Sequence, residues 1–327
     1  MNNNFNLTSE IDINNLNKII IPVINKFFNT ELKSIKRFET GSCHFVYDIF
    51  LETGDNIVFR IGYFLSNKDK IEGSIYWYKY LYDLGIKVPK LLYADSSCNE
   101  YEKPFTVSER LKGDDIGNMI DSLTDENLDS IAKEIIQIQE KISTINIGNG
   151  FGEATNHEDY NLKSNWKDFI SEKIDSVKIN LIKANVFDAS YITKVEEVIK
   201  KYDGYLGKVK PIPFFDDITS KNIIVENGKL SGVVDFDTMT FGDRLYWLGL
   251  CNMAFIFLNR EYYIVCLIRY LNLTKDDITI MNLYTLIFCV DFMSEIGQKF
   301  NKDEIIIDEN KVIRYKELFT KLYNNIT

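Results

Sequence analysis

The dipeptide Asn227-Gly228, with Ile223-Ile224-Val225 before it and Leu230 to Val234 after it, dictates a tight antiparallel hairpin within the chain. A two-residue turn of this kind needs positive φ at both central positions, and Asn and Gly reach that region at the least steric cost. Folding back here brings Asn222, at one end of the hairpin, beside Asp235 at the other. Asp217 lies five residues before Asn222, in the loop Phe215-Asp216-Asp217-Ile218-Thr219-Ser220-Lys221-Asn222. Two carboxylates and an amide are thus set around one hairpin. Such hard oxygen donors suit a small divalent cation, with one carboxylate left over to act as a base.

At 327 residues the chain is long enough for two lobes with cores of their own. Its 45% apolar and 26% charged residues are ordinary for a soluble globular protein. A net charge of −10 provides no basic field for nucleic acid or an anionic membrane, and near a cleft it would favour a cationic substrate. The five cysteines (Cys43, Cys98, Cys251, Cys266, Cys289) are odd in number and widely spaced, and three sit in apolar runs. That pattern fits free thiols in a reducing compartment and, with only two histidines, argues against a zinc site. Met1 to Glu10 is polar and lacks the apolar core of a signal peptide. The most apolar run, Leu245 to Leu258, is interrupted by Asn252 and falls short of the roughly 18 residues of a membrane span. The expectation is a soluble, cytoplasmic protein without nucleic-acid or membrane partners.

Ser9 is placed to cap a helix in which Ile11, Leu16, Ile19, Ile20, Val23, Ile24 and Phe27 recur at helical spacing. Strand-like segments follow at Ser34 to Phe38, Phe45 to Leu51 and Ile57 to Ile61, the last two joined by Thr53-Gly54-Asp55. A periodic helix over about 67–84 stops at Gly85, Pro89 opens an extended piece, and Phe105 to Leu111 reads as one more strand. Beyond Leu123 the pattern turns helical, over 125–143, 162–184, 188–201 and from 243 to the end, with the hairpin segment interrupting it. This predicts an α+β fold of bilobal, protein-kinase-like outline: a small antiparallel-sheet N-lobe (1–112) and a larger, mainly helical C-lobe (113–327).

The block from Phe215 to Asp243 resembles the aminoglycoside phosphotransferase and choline kinase superfamily. Its catalytic loop usually reads His-Gly-Asp-x-x-x-x-Asn, followed by a hairpin, an Asp-Phe or Asp-Trp metal motif, here Asp235-Phe236, and a Gly-Asp pair, here Gly242-Asp243. The segments Gly150-Phe151-Gly152, Trp166-Lys167-Asp168-Phe169-Ile170 and Met239-Thr240-Phe241-Gly242-Asp243 are most similar to the hygromycin phosphotransferase branch. The resemblance implies Asp217 as catalytic base, Asn222 and Asp235 as Mg²⁺ ligands, and ATP or GTP as phosphate donor. One departure is clear: Phe215 and Asp216 replace the loop's histidine and glycine. Phenylalanine can fill the histidine's space but cannot donate its hydrogen bond to the loop backbone. Asp216 is expected to point to solvent. Asp243 reads as an N-cap for the helix that begins at Arg244.

In the N-lobe, Arg60 ends the strand Ile57-Val58-Phe59 where the resemblance places a phosphate-reaching cation, and Glu72 on the next helix is its implied partner. Gly41 and Ser42, followed by Cys43 and His44, lie between two strands as a nucleotide-covering loop would. Ser108, Glu109 and Leu111 fall in the segment whose backbone meets the base. No Walker loop occurs, and the run Gly148, Gly150, Gly152 follows a helix rather than a strand, which excludes a dinucleotide fingerprint. His157 is read as an exposed loop residue. Three functions remain open: phosphorylation of a hydroxyl on a cationic, aminoglycoside-like antibiotic, phosphorylation of a metabolite such as choline, homoserine or a sugar, and nucleotide binding without catalysis, which Phe215 suggests.

Overall fold

Five segments of alternating or β-branched character in the first third of the chain become one antiparallel sheet. A computed structural model describes residues 7, 9–38, 43–63, 68–146, 149–159, 161–300 and 304–327. The chain divides into two compact units, one of residues 1–111 with 299–304, the other of 112–298 with 305–327.

The first unit opens with helical turns α1 (Glu10–Asn15) and α2 (Ile21–Val23), which alternate with π-helical stretches Leu16–Ile20 and Ile24–Phe28. Ser9 caps α1 by accepting the N–H of Asp12 at 3.1 Å. Strands β1 (Leu32–Phe38), β2 (His44–Leu51), β3 (Asn56–Gly62), β4 (Leu91–Asp95) and β5 (Phe105–Glu109) form a sheet in the order β1-β2-β3-β5-β4. One face of that sheet, with Phe45, Tyr47, Ile49, Phe59 and Phe105, closes a core with Leu16, Ile19, Ile20 and Val23. Helix α3 (Lys68–Asp83) ends as expected at Gly85, whose φ of +70° lets the N–H of Ile86 reach back to the carbonyl of Leu81 at 3.0 Å.

The second unit carries α4 (Ile116–Met119), α5 (Asp125–Ser143), α6 (Trp166–Ala184), α7 (Ser190–Lys201), α8 (Asp203–Leu206), α9 (Leu245–Phe257), α10 (Glu261–Tyr270), α11 (Lys275–Glu295) and α12 (Glu309–Ile326). Helix α6 starts at Trp166, later than its periodicity predicted, because Asn165 caps it by accepting the N–H of Asp168. Helix α11 is long and apolar enough to cross a bilayer by length and composition. About two-thirds of its apolar window is buried, against α9, α6 and α12, as in a core helix. Two small sheets complete the unit. Strands β6 (Asp114–Asp115), β9 (Ile223–Glu226) and β10 (Lys229–Val233) lie in the order β10-β9-β6. Strands β7 (Gly152–Ala154), β8 (Ile212–Phe214) and β11 (Met239–Gly242) lie in the order β7-β11-β8. This second sheet has no counterpart in the sequence reading.

Candidate active site

The hairpin β9–β10 pairs Glu226 with Lys229 and Val225 with Leu230, and its two turn residues take φ of 51° at Asn227 and 75° at Gly228. Both angles are positive, as a two-residue turn of this twist requires. Where the hairpin begins, the N–H of Val234 donates to the carbonyl of Asn222 at 3.0 Å, which sets Asn222 next to the segment that carries Asp235. Asn222 is buried, and its Nδ2 donates to the main-chain carbonyl of Asp217 at 2.9 Å. The amide is thereby oriented through its Nδ2 end. Thr219 Oγ1 donates to Asp217 Oδ1 at 3.1 Å. Asp235 has a left-handed φ of 75°, an uncommon conformation for a residue with a side chain.

The charges of these groups act on one another. Burial, then the carboxylates of Asp235 and Asp216, hold the Asp217 carboxyl well above its usual range. The amide oxygen of Asn222 and the carboxylate of Asp235 are donors that Mg²⁺ accepts, and a divalent cation would relieve the repulsion between Asp235 and Asp217. Among the described residues no three His, Cys, Asp or Glu side chains form a metal cage of their own. The donor set therefore fits a cation that takes the rest of its shell from phosphate oxygens and water.

Phe215 is fully buried, and its ring stacks on that of Phe236 with centroids 3.8 Å apart. The main chain of Phe215 is held by a residue that the sequence reading missed. Gln139 on α5 accepts its N–H at 3.1 Å and donates to its carbonyl at 2.6 Å. A signal for it existed: Gln139 is a polar residue on the helix face otherwise built from Ile131, Ile135 and Ile142.

Asp216 does not point to solvent, contrary to the expectation. It is half-buried, near the Thr240 side chain, Glu153 and Lys173. The register explains the grouping, because Thr240 on β11 pairs with Glu153 on β7 and with Phe214 on β8. Lys173 of α6 meets Asp291 of α11 at 2.6 Å. Burial pulls the Lys173 ammonium down, but the charge and hydrogen bond of Asp291 outweigh it and raise its pKa. Burial first, and then Glu153, push the Asp216 carboxyl from 3.8 up to about 7.

That shift fixes a sign. Between pH 4 and 7 the folded chain holds a proton at Asp216 that the unfolded chain has lost, so this group's contribution to stability falls as pH rises to about 7. An Asp216→Asn protein, which mimics the protonated state, is expected to melt higher than the parent at pH 8 and by a smaller margin at pH 5. Paired thermal melts check this, and a margin that does not change with pH would contradict it.

In the first unit, Arg60 on β3 is paired in register with Val46 of β2 and Thr106 of β5, and its Nη1 donates to Ser74 Oγ of α3 at 2.9 Å. Glu72 is exposed, with Lys68 Nζ at 3.6 Å. The N–H of Glu109 is committed to the Lys90 carbonyl at 3.0 Å, and Arg110 Nη1 donates to the Leu111 carbonyl at 2.8 Å. Ser108 is buried opposite Val58 and Leu91. Gly41 and Ser42 lie outside the described residues. His44 is buried at the start of β2.

The Gly242-Asp243 pair belongs to the packing of the second unit. A side chain at Gly242 would put its Cβ 2.0 Å from Cζ3 of Trp166. Helix α9 begins at Leu245 with Arg244 at the cap position, one residue later than read, and Asp243 Oδ1, just before the cap, accepts the N–H of Leu245 at 3.0 Å. Its Oδ2 accepts the hydroxyls of Tyr205 at 2.7 Å and Tyr284 at 2.8 Å.

"Altered inheritance of mitochondria protein 9, mitochondrial" of Candida dubliniensis is 31% identical over 140 residues, 39% of this chain and 22% of the relative. Its counterpart in Debaryomyces hansenii is 29% identical over 150 residues, 42% of this chain and 24% of the relative. The chain thus spans less than a quarter of the length of these curated relatives. Their name places them in mitochondria, which overturns the expectation of a plainly cytoplasmic protein. Among solved structures, a ternary complex of a thermostable aminoglycoside phosphotransferase APH(4)-Ia with ADP and hygromycin B matches 93% of this chain and 96% of its own, at 16% identity and TM-score 0.62. A complex of an APH(2")-type enzyme with GDP and kanamycin matches 93% of this chain and 98% of its own, at 15% identity and TM-score 0.68. At such identities the likeness is one of fold, and it confirms the expected α+β, kinase-like class. The model of the phosphotransferase enzyme family matches residues 46–261, from β2 to the start of α10, and the chain belongs to that family.

Proposed function

We propose that the chain moves the γ-phosphate of ATP or GTP, with Mg²⁺, to a hydroxyl of a small, cationic, aminoglycoside-like acceptor. The observation that carries this reading is the hydrogen-bonded loop and hairpin in which Asn222 is tied both to Asp217 and to the strand leading into Asp235. Asp217 takes the acceptor's proton, and Thr219 and Asn222 hold it in place. Asn222 and Asp235 hold the cation. What a bound Mg²⁺ supplies is neutralisation of the phosphates and of the Asp235 carboxylate. Within the first unit, Arg60, which Ser74 rather than Glu72 holds, is the phosphate-binding cation, and the Ser108–Leu111 segment takes the base. Glu153 and Asp291 outnumber Lys173 in their cluster, even with Asp216 protonated, which favours an acceptor that carries positive charge.

Purified protein with Mg²⁺, ATP or GTP and a panel of aminoglycosides and metabolite alcohols tests the proposal. Nucleotide-dependent phosphorylation of one class supports it, and neither turnover nor nucleotide binding rejects it. One observation favours a metabolite over an antibiotic: the curated relatives above are named for mitochondrial inheritance, not for resistance. Expression in an aminoglycoside-susceptible cell separates the two, since only the antibiotic reading expects resistance.

A further inference from the structure

Resting on the reading of Asp217 as general base, we infer that Gln139 is the positioning residue of the catalytic loop, supplying from α5 the backbone hydrogen bond that Phe215 cannot. A main-chain N–H only donates and a carbonyl only accepts, and a primary amide, with its oxygen acceptor and NH₂ donor side by side, satisfies both at a single residue. Gln139 does so at Phe215 with bonds of 3.1 and 2.6 Å, as a neighbouring strand would. It is 6% exposed on a face of isoleucines, where an amide is costly unless its bonds are made.

Residue 215 is therefore fixed twice, its backbone by α5 and its ring by Phe236. Asp217 lies two residues after the first anchor, and Asp235 one residue before the second. These two carboxylates repel each other, so the loop needs restraint to keep them together. Helix α5 is a stiff support: it is capped reciprocally by Thr124 and Asn127 and packs against β8 and β10. Gln139 does not touch the reacting atoms. It acts through the position of Asp217, so losing it should lower the rate of the chemical step and leave nucleotide binding intact.

The test uses Gln139→Leu, which removes both bonds, and Gln139→Glu, which keeps the acceptor but sets a carboxylate against the Phe215 carbonyl. Each is made in the parent and in Asp217→Asn. In the parent, kcat is expected to fall about tenfold to a hundredfold with nucleotide KM within about twofold, and in Asp217→Asn no further fall is expected. Hydrogen exchange at the Phe215 amide is expected to quicken by about tenfold or more in Gln139→Leu, a readout independent of turnover. Equal losses of kcat in both backgrounds, or an unchanged Phe215 amide, overturn the inference. If the parent shows no turnover, it is the general-base reading of Asp217 that falls, and the exchange measurement alone decides whether Gln139 holds the loop.

Discussion

Asp217→Asn is expected to lower phosphoryl transfer by about 10²–10⁴-fold while Mg²⁺-nucleotide still binds, because it removes the base and leaves Asn222 and Asp235 in place. The same change is expected to stabilise the protein. In the parent, burial and the charges of Asp235 and Asp216 hold the Asp217 carboxyl well above its usual range. A raised folded-state pKa means that this group's contribution is full at low pH and is lost as pH rises through that value. An amide of the same shape removes the repulsion, keeps an oxygen for the Thr219 hydroxyl, and leaves the main-chain carbonyl that Asn222 uses. At pH 8 a gain of about 2–4 °C in melting temperature is the expected scale, the trade of stability for activity common at charged sites. Kinetics and melts on one preparation check both halves. A variant that is inactive but less stable would show that Asp217 supports the loop structurally, and one that keeps its rate would remove it as the base.

What was legible in the sequence follows from how local its cause is. The Asn227-Gly228 turn, its β-branched flanks and the spacing of Asp217, Asn222 and Asp235 are set within some twenty residues, and the hairpin forms as read. Helix α5 spans the residues its periodicity predicted, because isoleucines at helical spacing carry it. The sheet β7-β11-β8 escaped notice because its strands are three or four residues long and come from distant parts of the chain. Strands that short show no measurable alternation. Their absence from the reading caused the error at Asp216, since the sheet is what brings Glu153 and Thr240 to it. The pairing of Lys173 with Asp291 was hidden for a related reason: each is a charge on a helix, and only tertiary packing makes them partners. Gln139 shows the opposite case. Its place on an apolar face was visible, but its partner 76 residues away was not.

Asp243→Ala is expected to cost roughly 3–5 kcal/mol, a large share of a domain stability of about 5–15 kcal/mol. The carboxylate is 6% exposed and accepts three hydrogen bonds, from Tyr205, Tyr284 and the N–H of Leu245. Without it the fully buried Tyr284 hydroxyl, which already accepts Trp166 Nε1 at 2.8 Å, has no acceptor for its own proton, and α9 loses the group that meets its first N–H. Burial and the Asp243 charge both raise the pKa of Tyr205 and Tyr284, so the two hydroxyls remain protonated donors across the working pH range. Asp243→Asn should cost less, about 1–3 kcal/mol, because the amide keeps an acceptor for one side of the network but must turn an NH₂ toward the other. Tyr284→Phe tests whether the groups act as one unit. Its cost and that of Asp243→Ala should fall short of additivity in the double variant, since the first change already removes one donor that the second leaves stranded. Urea titrations of the four proteins measure this directly. Strict additivity, or an Asp243→Ala cost below about 1 kcal/mol, would show that Trp166, Tyr284 and Asp243 are merely adjacent and that the Gly242-Asp243 pair owes its place to the close approach of Trp166 alone.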